Sequence, residues 1–212
     1  MSNIDDLTAR KKALRKEILA ARRSAYSTPE GAQRHRDESE ALVAHLEGFI
    51  DSHLGDLERP LVVAGYSALP TEANPMALLR TLATGGSTVL LPVYHGDVLT
   101  WREWDGVSEL EASEGAKFGT EPTGEDHGVE GLATADLIIT PAVAVDRSGT
   151  RIGHGKGYYD RALQHRSTES FVVTAVNPSE LLPAGTLPRD EHDYPIRFAA
   201  TADGIAVLTD DA

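Results

Sequence analysis

Residues 61–93 read LVVAGYSALPTEANPMALLRTLATGGSTVLLPV. Leu61–Tyr66 and Thr88–Val93 are short apolar runs of the length of buried strands. Between them Asn74-Pro75 opens a helix, Met76, Leu78, Leu79 and Leu82 give it an apolar side, and Gly85-Gly86 ends it. A strand, a helix and a strand in that order predict parallel strands joined by a right-handed crossover. Further along, Asp136–Pro141 and Phe171–Val176 read as buried strands, with a helix over 157–166 between them. Val98–Trp104 alternates as a half-buried strand should, and Gly204–Leu208 can close the sheet. Residues 105–131, rich in Gly, Glu and Pro, read mostly as loop. With no internal repeat or linker, residues 1–212 form one α/β domain with a largely parallel sheet.

Upstream, residues 4–25 read as a helix on which Leu7, Leu14 and Ile18 fall within about 40° of one another at ~100° per residue. Lys11, Arg15 and Arg22 form a basic stripe beside them, either a site for an anion or a solvated helix face. Thr28 and Pro29 suit the N-cap and first position of a second helix, whose apolar side holds Leu42, Val43, Leu46, Phe49 and Ile50, with Gly55 just past its end.

The chain has 212 residues and a net charge of −13. A general nucleic-acid surface is therefore excluded from the expectations. The charge is uneven: residues 1–36 hold nine Lys/Arg against four Asp/Glu. There is no cysteine, which removes disulfides, thiolate metal sites and a Cys nucleophile, and suits a reducing cytoplasm. No apolar run approaches a membrane span, and the first residues lack the pattern of a signal peptide.

The chemistry concentrates in residues 146–161, DRSGTRIGHGKGYYDR, between a buried strand and a helix. Ligands of open α/β sheets bind at such positions, beyond the carboxyl ends of strands. Gly153, Gly155 and Gly157 alternate, leaving room for backbone N–H groups to approach an anion, and Lys156 adds an ammonium. Arg147, Arg151 and Arg161 flank the loop. The pattern is neither a P-loop nor a dinucleotide fingerprint, because Thr150 stands where a P-loop needs Gly and the glycine spacing is G-x-G-x-G. A tight turn with no ligand competes with a phosphate cradle. Asp160 suits either a nucleotide-borne Mg²⁺ or the positive end of its own helix. Trp101 and Trp104 read as core anchors. His154 is the one histidine in a chemically suggestive place, and no G-x-S-x-G elbow is present.

The 146–161 run resembles the signature of the 5-formyltetrahydrofolate cyclo-ligase family, also called 5,10-methenyltetrahydrofolate synthetases. Lys11, Leu14, Arg15 and Arg22 look like the family's basic first helix. Tyr66 through Glu72 looks like its strand and acid, Phe118 through Pro122 like its Glu-Pro element, and His192-Asp193 like its C-terminal acid. Asn177 and Arg197 depart from the family's Gln and acid, and put the C-terminal part of the site in question. The resemblance implies a three-layer α/β/α Rossmann-like fold.

It also implies ATP-dependent closure of 5-formyltetrahydrofolate to 5,10-methenyltetrahydrofolate, with Mg²⁺, in a monomeric cytoplasmic enzyme that needs neither nucleic acid nor membrane. By the same resemblance Lys156 and Arg151 serve catalysis. Lys11, Arg15, Gly153, His154, Gly155, Lys156, Gly157 and Tyr158 bind the nucleotide, with Arg22 a further candidate. Glu72 and Tyr158 border the folate, and Asp160 and Asp193 hold the metal. Two other readings compete: a non-catalytic paralogue that binds folate or nucleotide, and an ATP-independent sugar-phosphate isomerase on a related fold.

Overall fold

The computed structural model describes residues 3–112, 119–190 and 193–208, with side chains from Asp6 onward in the first helix. Phe118 and His192, singled out above, lie outside the described residues. In chain order the elements are α1 (Asn3–Tyr26), α2 (Pro29–Leu54), β1 (Val62–Ala64), α3 (Met76–Thr84), β2 (Thr88–His95) and β3 (Val98–Glu103). The short pair β4 (Glu111–Ala112) and β5 (Thr120–Glu121) follows, then β6 (Leu137–Pro141), β7 (Ala144–Asp146), β8 (Arg151–Ile152) and α4 (Tyr158–Ala162). Last come β9 (Phe171–Ala175), β10 (Leu181–Leu182), β11 (Phe198–Thr201) and β12 (Gly204–Val207).

The main sheet has the order β12-β11-β9-β6-β1-β2-β3. Its five inner strands are parallel, and only the edge strands β12 and β3 run antiparallel to their neighbours. The strands from 61–66 and 88–93 pair in parallel, Val63 opposite Val89, as their connection requires. Both faces are covered, which is why these strands read as unbroken apolar runs rather than alternating ones. Val63, Leu137 and Val173 turn toward α2 and α3, where they meet Leu46, Phe49, Leu78 and Leu79. Their sequence neighbours Ala64, Ile138 and Val172 turn the other way, toward Trp101, Leu132, Tyr159 and Leu163. Thr28 caps α2 through its Oγ1, which accepts the Gly31 N–H at 3.1 Å.

The layer on the second face is thinner than expected. The helix read over 157–166 is α4 plus a 3-10 turn, Leu163–His165. It starts at Gly157 in the left-handed region (φ 66°) with no side-chain cap. A segment this short stays helical through packing of Tyr159, Ala162 and Leu163 rather than through its own propensity. In the Gly/Glu/Pro-rich stretch, residues 125–128 run along the outer edge of β3, with His127 N–H donating to Trp101 O at 2.8 Å. That backbone pairing shields an otherwise open sheet edge. Trp101 and Trp104 are buried core residues, as expected.

The first half of the 146–161 run is a hairpin rather than a ligand loop. Strands β7 and β8 are antiparallel and join β10 in a small second sheet. Asp146, fully buried, accepts at Oδ1 from Ser148 N, Ser148 Oγ and Thr150 N and at Oδ2 from Leu187 N. Gly149 makes the turn at φ 81°, where a Cβ would lie 2.5 Å from the Ile196 carbonyl oxygen. Leu14, Ile18 and Leu19 of α1 pack on the cluster of Val143, Ala144, Ile152 and Leu187. The basic face of α1 is thereby carried to the glycine loop.

Candidate functional site

A cavity of about 460 Å³ opens beyond the carboxyl ends of β1, β2 and β6. Strand order reverses there, with β2 on one side of β1 and β6 on the other, the position where open α/β sheets hold ligands. All twelve residues assigned to the site from the sequence line this one cavity: Lys11 and Arg15 from α1, Glu72 from the loop after β1, Arg151 from β8, Gly153 through Tyr158 from the glycine loop, Asp160 from α4, and Asp193 from the C-terminal loop.

At the glycine loop, Arg15 Nε donates to the Gly153 carbonyl at 2.6 Å and fixes the loop against α1. Gly155 has φ 92°, and a Cβ there would sit 3.1–3.2 Å from the Arg15 guanidinium. Glycine is therefore required twice over, for its backbone angle and for the cation's approach. Burial lowers the pKa of both Arg15 and Arg151, which means that their charge is short of solvation. In Arg151 the Asp160 carboxylate opposes that effect, and the two side chains form an ion pair. Lys11 forms a second ion pair with Asp193, whose Oδ2 also accepts the Asp190 N–H at 2.8 Å.

Two buried polar atoms at the cavity have no hydrogen-bond partner among the described residues: Arg151 Nε and the Tyr159 hydroxyl. Burying such groups unpaired is costly, so they suit a ligand that brings acceptors. Two carboxylates on the same wall, Asp160 and Asp193, supply the hard oxygen donors that Mg²⁺ prefers.

The opposite wall is more apolar. Tyr66, Leu69, Pro92, Tyr94, Tyr158 and Tyr159 line the cavity together with Glu72. Burial, and next the nearby Glu72 carboxylate, raise the pKa of the Tyr66 and Tyr94 phenols, so both remain neutral hydrogen-bond donors. Tyr158 donates its hydroxyl to the Gly96 carbonyl at 2.8 Å and packs edge-on against Tyr94. Glu72 itself is 6% exposed, accepts the Leu69 N–H at 3.0 Å and pairs with His154 Nε2 at 3.0 Å.

Three expectations need correction. Arg22 is not a phosphate ligand on the helix surface. It is 4% exposed, donates from Nε to Glu180 Oε1 at 2.5 Å and from its NH2 to the carbonyls of Ala142 and Val143 at 3.1 and 3.2 Å. Helical spacing put it in line with Lys11 and Arg15, but the cavity ends before it. Arg161 does not face the cradle either: it binds the carbonyls of Asp97 and Lys156, holding the loop's shape. Arg147 is exposed in the hairpin turn and away from the cavity lining.

The two departures from the family pattern also lie outside the lining. Asn177 is buried, begins a 3-10 turn with Glu180 and donates to the Thr71 carbonyl at 3.0 Å; Arg197 is exposed over the Phe198 ring. Sequence reading missed Tyr66, Tyr94 and Tyr159 as cavity residues, because in a strand or a short helix they are indistinguishable from core. It also missed Glu103, Glu125 and His127, whose ligand atoms lie within 4.8 Å of one another at the other end of the β2–β3 ladder.

Comparison with known proteins gives one family. Residues 7–202 match the model of the 5-formyltetrahydrofolate cyclo-ligase family. A 5-formyltetrahydrofolate cyclo-ligase of Mycolicibacterium smegmatis is 34% identical over 197 residues, 90% of this chain and 93% of that protein. The solved structure of Aquifex aeolicus 5,10-methenyltetrahydrofolate synthetase superposes with a TM-score of 0.71 at 28% identity, covering 95% of this chain and 94% of that one. A 5,10-methenyltetrahydrofolate synthetase from Mycoplasma pneumoniae shares the fold with a TM-score of 0.65 at 17% identity, over 91% of this chain and 98% of that one. Among the described residues no helix is long and apolar enough to cross a membrane.

Proposed function

The chain belongs to the 5-formyltetrahydrofolate cyclo-ligase family, and from that premise we propose that it closes 5-formyltetrahydrofolate to 5,10-methenyltetrahydrofolate while Mg·ATP becomes ADP and phosphate. It is a ligase of folate metabolism. ATP, when bound, supplies a phosphoryl group that turns the formamide oxygen, otherwise a poor leaving group, into a good one. The substrate's own N10 then attacks intramolecularly, a step that gains from being held in place.

The residues divide the work by position. Backbone groups of Gly153 through Gly157 face the phosphates, and Lys156, Arg151, Arg15 and Lys11 surround them with positive charge. Lys156 is the exposed ammonium in the middle of the loop, suited to the charge that spreads over the phosphoryl oxygens as it transfers. Asp160 and Asp193 would hold Mg²⁺, which would supply positive charge against the phosphate oxygens. Glu72 and the tyrosine wall, Tyr158 included, receive the folate ring system. We further read the enzyme as a cytoplasmic monomer that uses neither nucleic acid nor membrane.

One observation supports this reading above the rest: twelve residues spread from Lys11 to Asp193 line a single cavity that has a cationic glycine-loop wall and an aromatic wall around one acid. The paralogue reading loses its motive, because Asn177 and Arg197 do not line that cavity. The test is to mix purified protein with Mg·ATP and 5-formyltetrahydrofolate at neutral pH and follow the near-UV absorbance of the methenyl product beside released ADP. The expected result is equimolar product and ADP, and no product without ATP. Binding of both ligands without product would restore the paralogue; turnover of a sugar phosphate without ATP would restore the isomerase.

A further inference from the structure

The reading above gives the folate ring system to Glu72 and the tyrosine wall that lines the cavity with it. A carboxylate that orients a substrate has to be held to within about 0.5 Å of one place. Glu72 lies in the loop between β1 and α3. Loops move more than the elements they join, so a recognition group on a loop needs support from elsewhere in the fold.

That support comes from hydrogen bonds on either side of the Glu72 Cα. The Thr71 carbonyl accepts from Asn177 Nδ2 at 3.0 Å, and the Glu72 carbonyl accepts from His35 Nε2 at 2.8 Å. A carbonyl can only accept, so His35 carries a hydrogen on Nε2. Each peptide unit is planar. Pinning these two carbonyls therefore fixes the two planes that meet at the Glu72 Cα, and with them the direction of its side chain. One residue further on, the Ala73 carbonyl accepts the Tyr66 hydroxyl. At the carboxylate end, Oε2 accepts the Leu69 N–H at 3.0 Å, and the guanidinium of Arg22 stands 3.8 Å from Oε1. Arg22 is held in turn by Glu180, whose Oε2 accepts the Asn177 N–H at 3.0 Å. The supports come from α1, α2 and the 3-10 turn after β9, and they are linked to one another. Arg22, His35 and Asn177 are all absent from the cavity lining.

Resting on the reading above, we propose that Asn177 is a positioning residue for the folate: together with His35 it fixes the backbone of Glu72, and so sets folate affinity from outside the cavity. The position that departs from the family's Gln thus takes part in the site through Glu72, without touching a ligand. The phosphate side of the cavity does not depend on it.

The test uses the full-length protein and its Asn177→Ser, His35→Phe and Glu72→Ala variants, each checked for folding by circular dichroism. Serine suits the start of a helical turn as asparagine does, but does not reach Thr71. Loss of that one hydrogen bond should weaken 5-formyltetrahydrofolate binding in calorimetry ~10-fold. Mg·ATP affinity should stay within about twofold, since its side of the cavity is not disturbed. His35→Phe keeps a ring against Tyr26 and should give the same split between the two ligands. In a Glu72→Ala background, Asn177→Ser should change folate affinity less than about twofold, because the group that it positions is gone. Unchanged folate affinity in both single variants overturns the proposal. So does an equal loss for folate and ATP, or a full further loss in the Glu72→Ala background, either of which would make Asn177 a residue of general stability. Hydrogen exchange of the ligand-free protein provides an independent arm. The Leu69 amide donates to Glu72 Oε2, so it should exchange ~10-fold faster in Asn177→Ser while the amides of the main sheet do not change. A uniform rise, or none at Leu69, refutes the positioning role. Failure of the unmodified protein to bind 5-formyltetrahydrofolate would instead refute the cyclo-ligase reading, and the exchange measurement would still decide whether Asn177 positions Glu72.

Discussion

Arg22→Met tests the buried scaffold directly behind the ligand site, where Arg22 also stands 3.8 Å from Glu72 Oε1. Methionine keeps much of the apolar stem but removes the guanidinium. Glu180, itself 3% exposed, loses its cation, and the carbonyls of Ala142 and Val143 lose their donors. Removing one partner of a buried ion pair costs about 3–5 kcal/mol, because a charge is left buried without compensation. For a chain of this size that lowers Tm by roughly 6–20 °C. The loss should depend on pH, with a sign fixed by Glu180. Burial raises the pKa of its carboxyl and Arg22 opposes the rise. Without Arg22 the pKa rises further, and the folded variant holds a proton that the unfolded chain releases. Such a group stabilises at low pH and loses that stabilisation as pH climbs through its folded-state pKa. The deficit against the unmodified protein should therefore be largest near pH 8 and shrink toward pH 5.5. Glu180→Gln added to Arg22→Met should restore about half of the loss, since Gln can still accept the Asn177 N–H at 3.0 Å. Urea unfolding followed by circular dichroism at both pH values is the assay. A loss below about 1 kcal/mol, or one equal at both pH values, would refute the reasoning, because a burial cost of this kind must appear in both measurements.

Three substitutions probe the cavity. Lys156→Ala should lower kcat ~10²-fold or more in a folded protein, as loss of a preorganised charge does, and near-normal turnover would remove Lys156 from the chemistry. Lys11→Ala should weaken ATP binding in calorimetry more than folate binding; equal changes would return Lys11 to ordinary helix surface. Gly155→Ala places a methyl at φ 92° and 3.1–3.2 Å from Arg15, a strain of about 1–3 kcal/mol. It should lower Tm by several degrees and nucleotide affinity ~10-fold, and unchanged affinity would show that the loop does not bind through this backbone.

The strands of the main sheet were legible because parallel strands buried on both faces leave uninterrupted apolar runs such as Leu137–Ile139. Helix α2 was legible through its Thr28-Pro29 cap. The hairpin inside residues 146–161 was not, since Asp146 and Gly149 are equally at home in a turn and in an anion loop. The cavity residues with unusual chemistry for their setting, the alternating glycines and Lys156, stood out from the sequence. The tyrosines did not, because burial alone decides whether Tyr66 or Tyr159 is core or wall. Arg22 shows the limit of helical spacing: periodicity aligns it with Lys11 and Arg15, but only the packing of α1 on β7 and β8 reveals that its end of the stripe is buried.

The central claim is that the formyl oxygen leaves as part of phosphate. The most direct measurement uses 5-formyltetrahydrofolate labelled with ¹⁸O in the formyl group, incubated with the protein and Mg·ATP, with mass analysis of the phosphate released. The account predicts one ¹⁸O per phosphate, formed in step with the methenyl product. Unlabelled phosphate beside methenyl product would mean that ATP is cleaved by water and the oxygen lost by another route, and would contradict it.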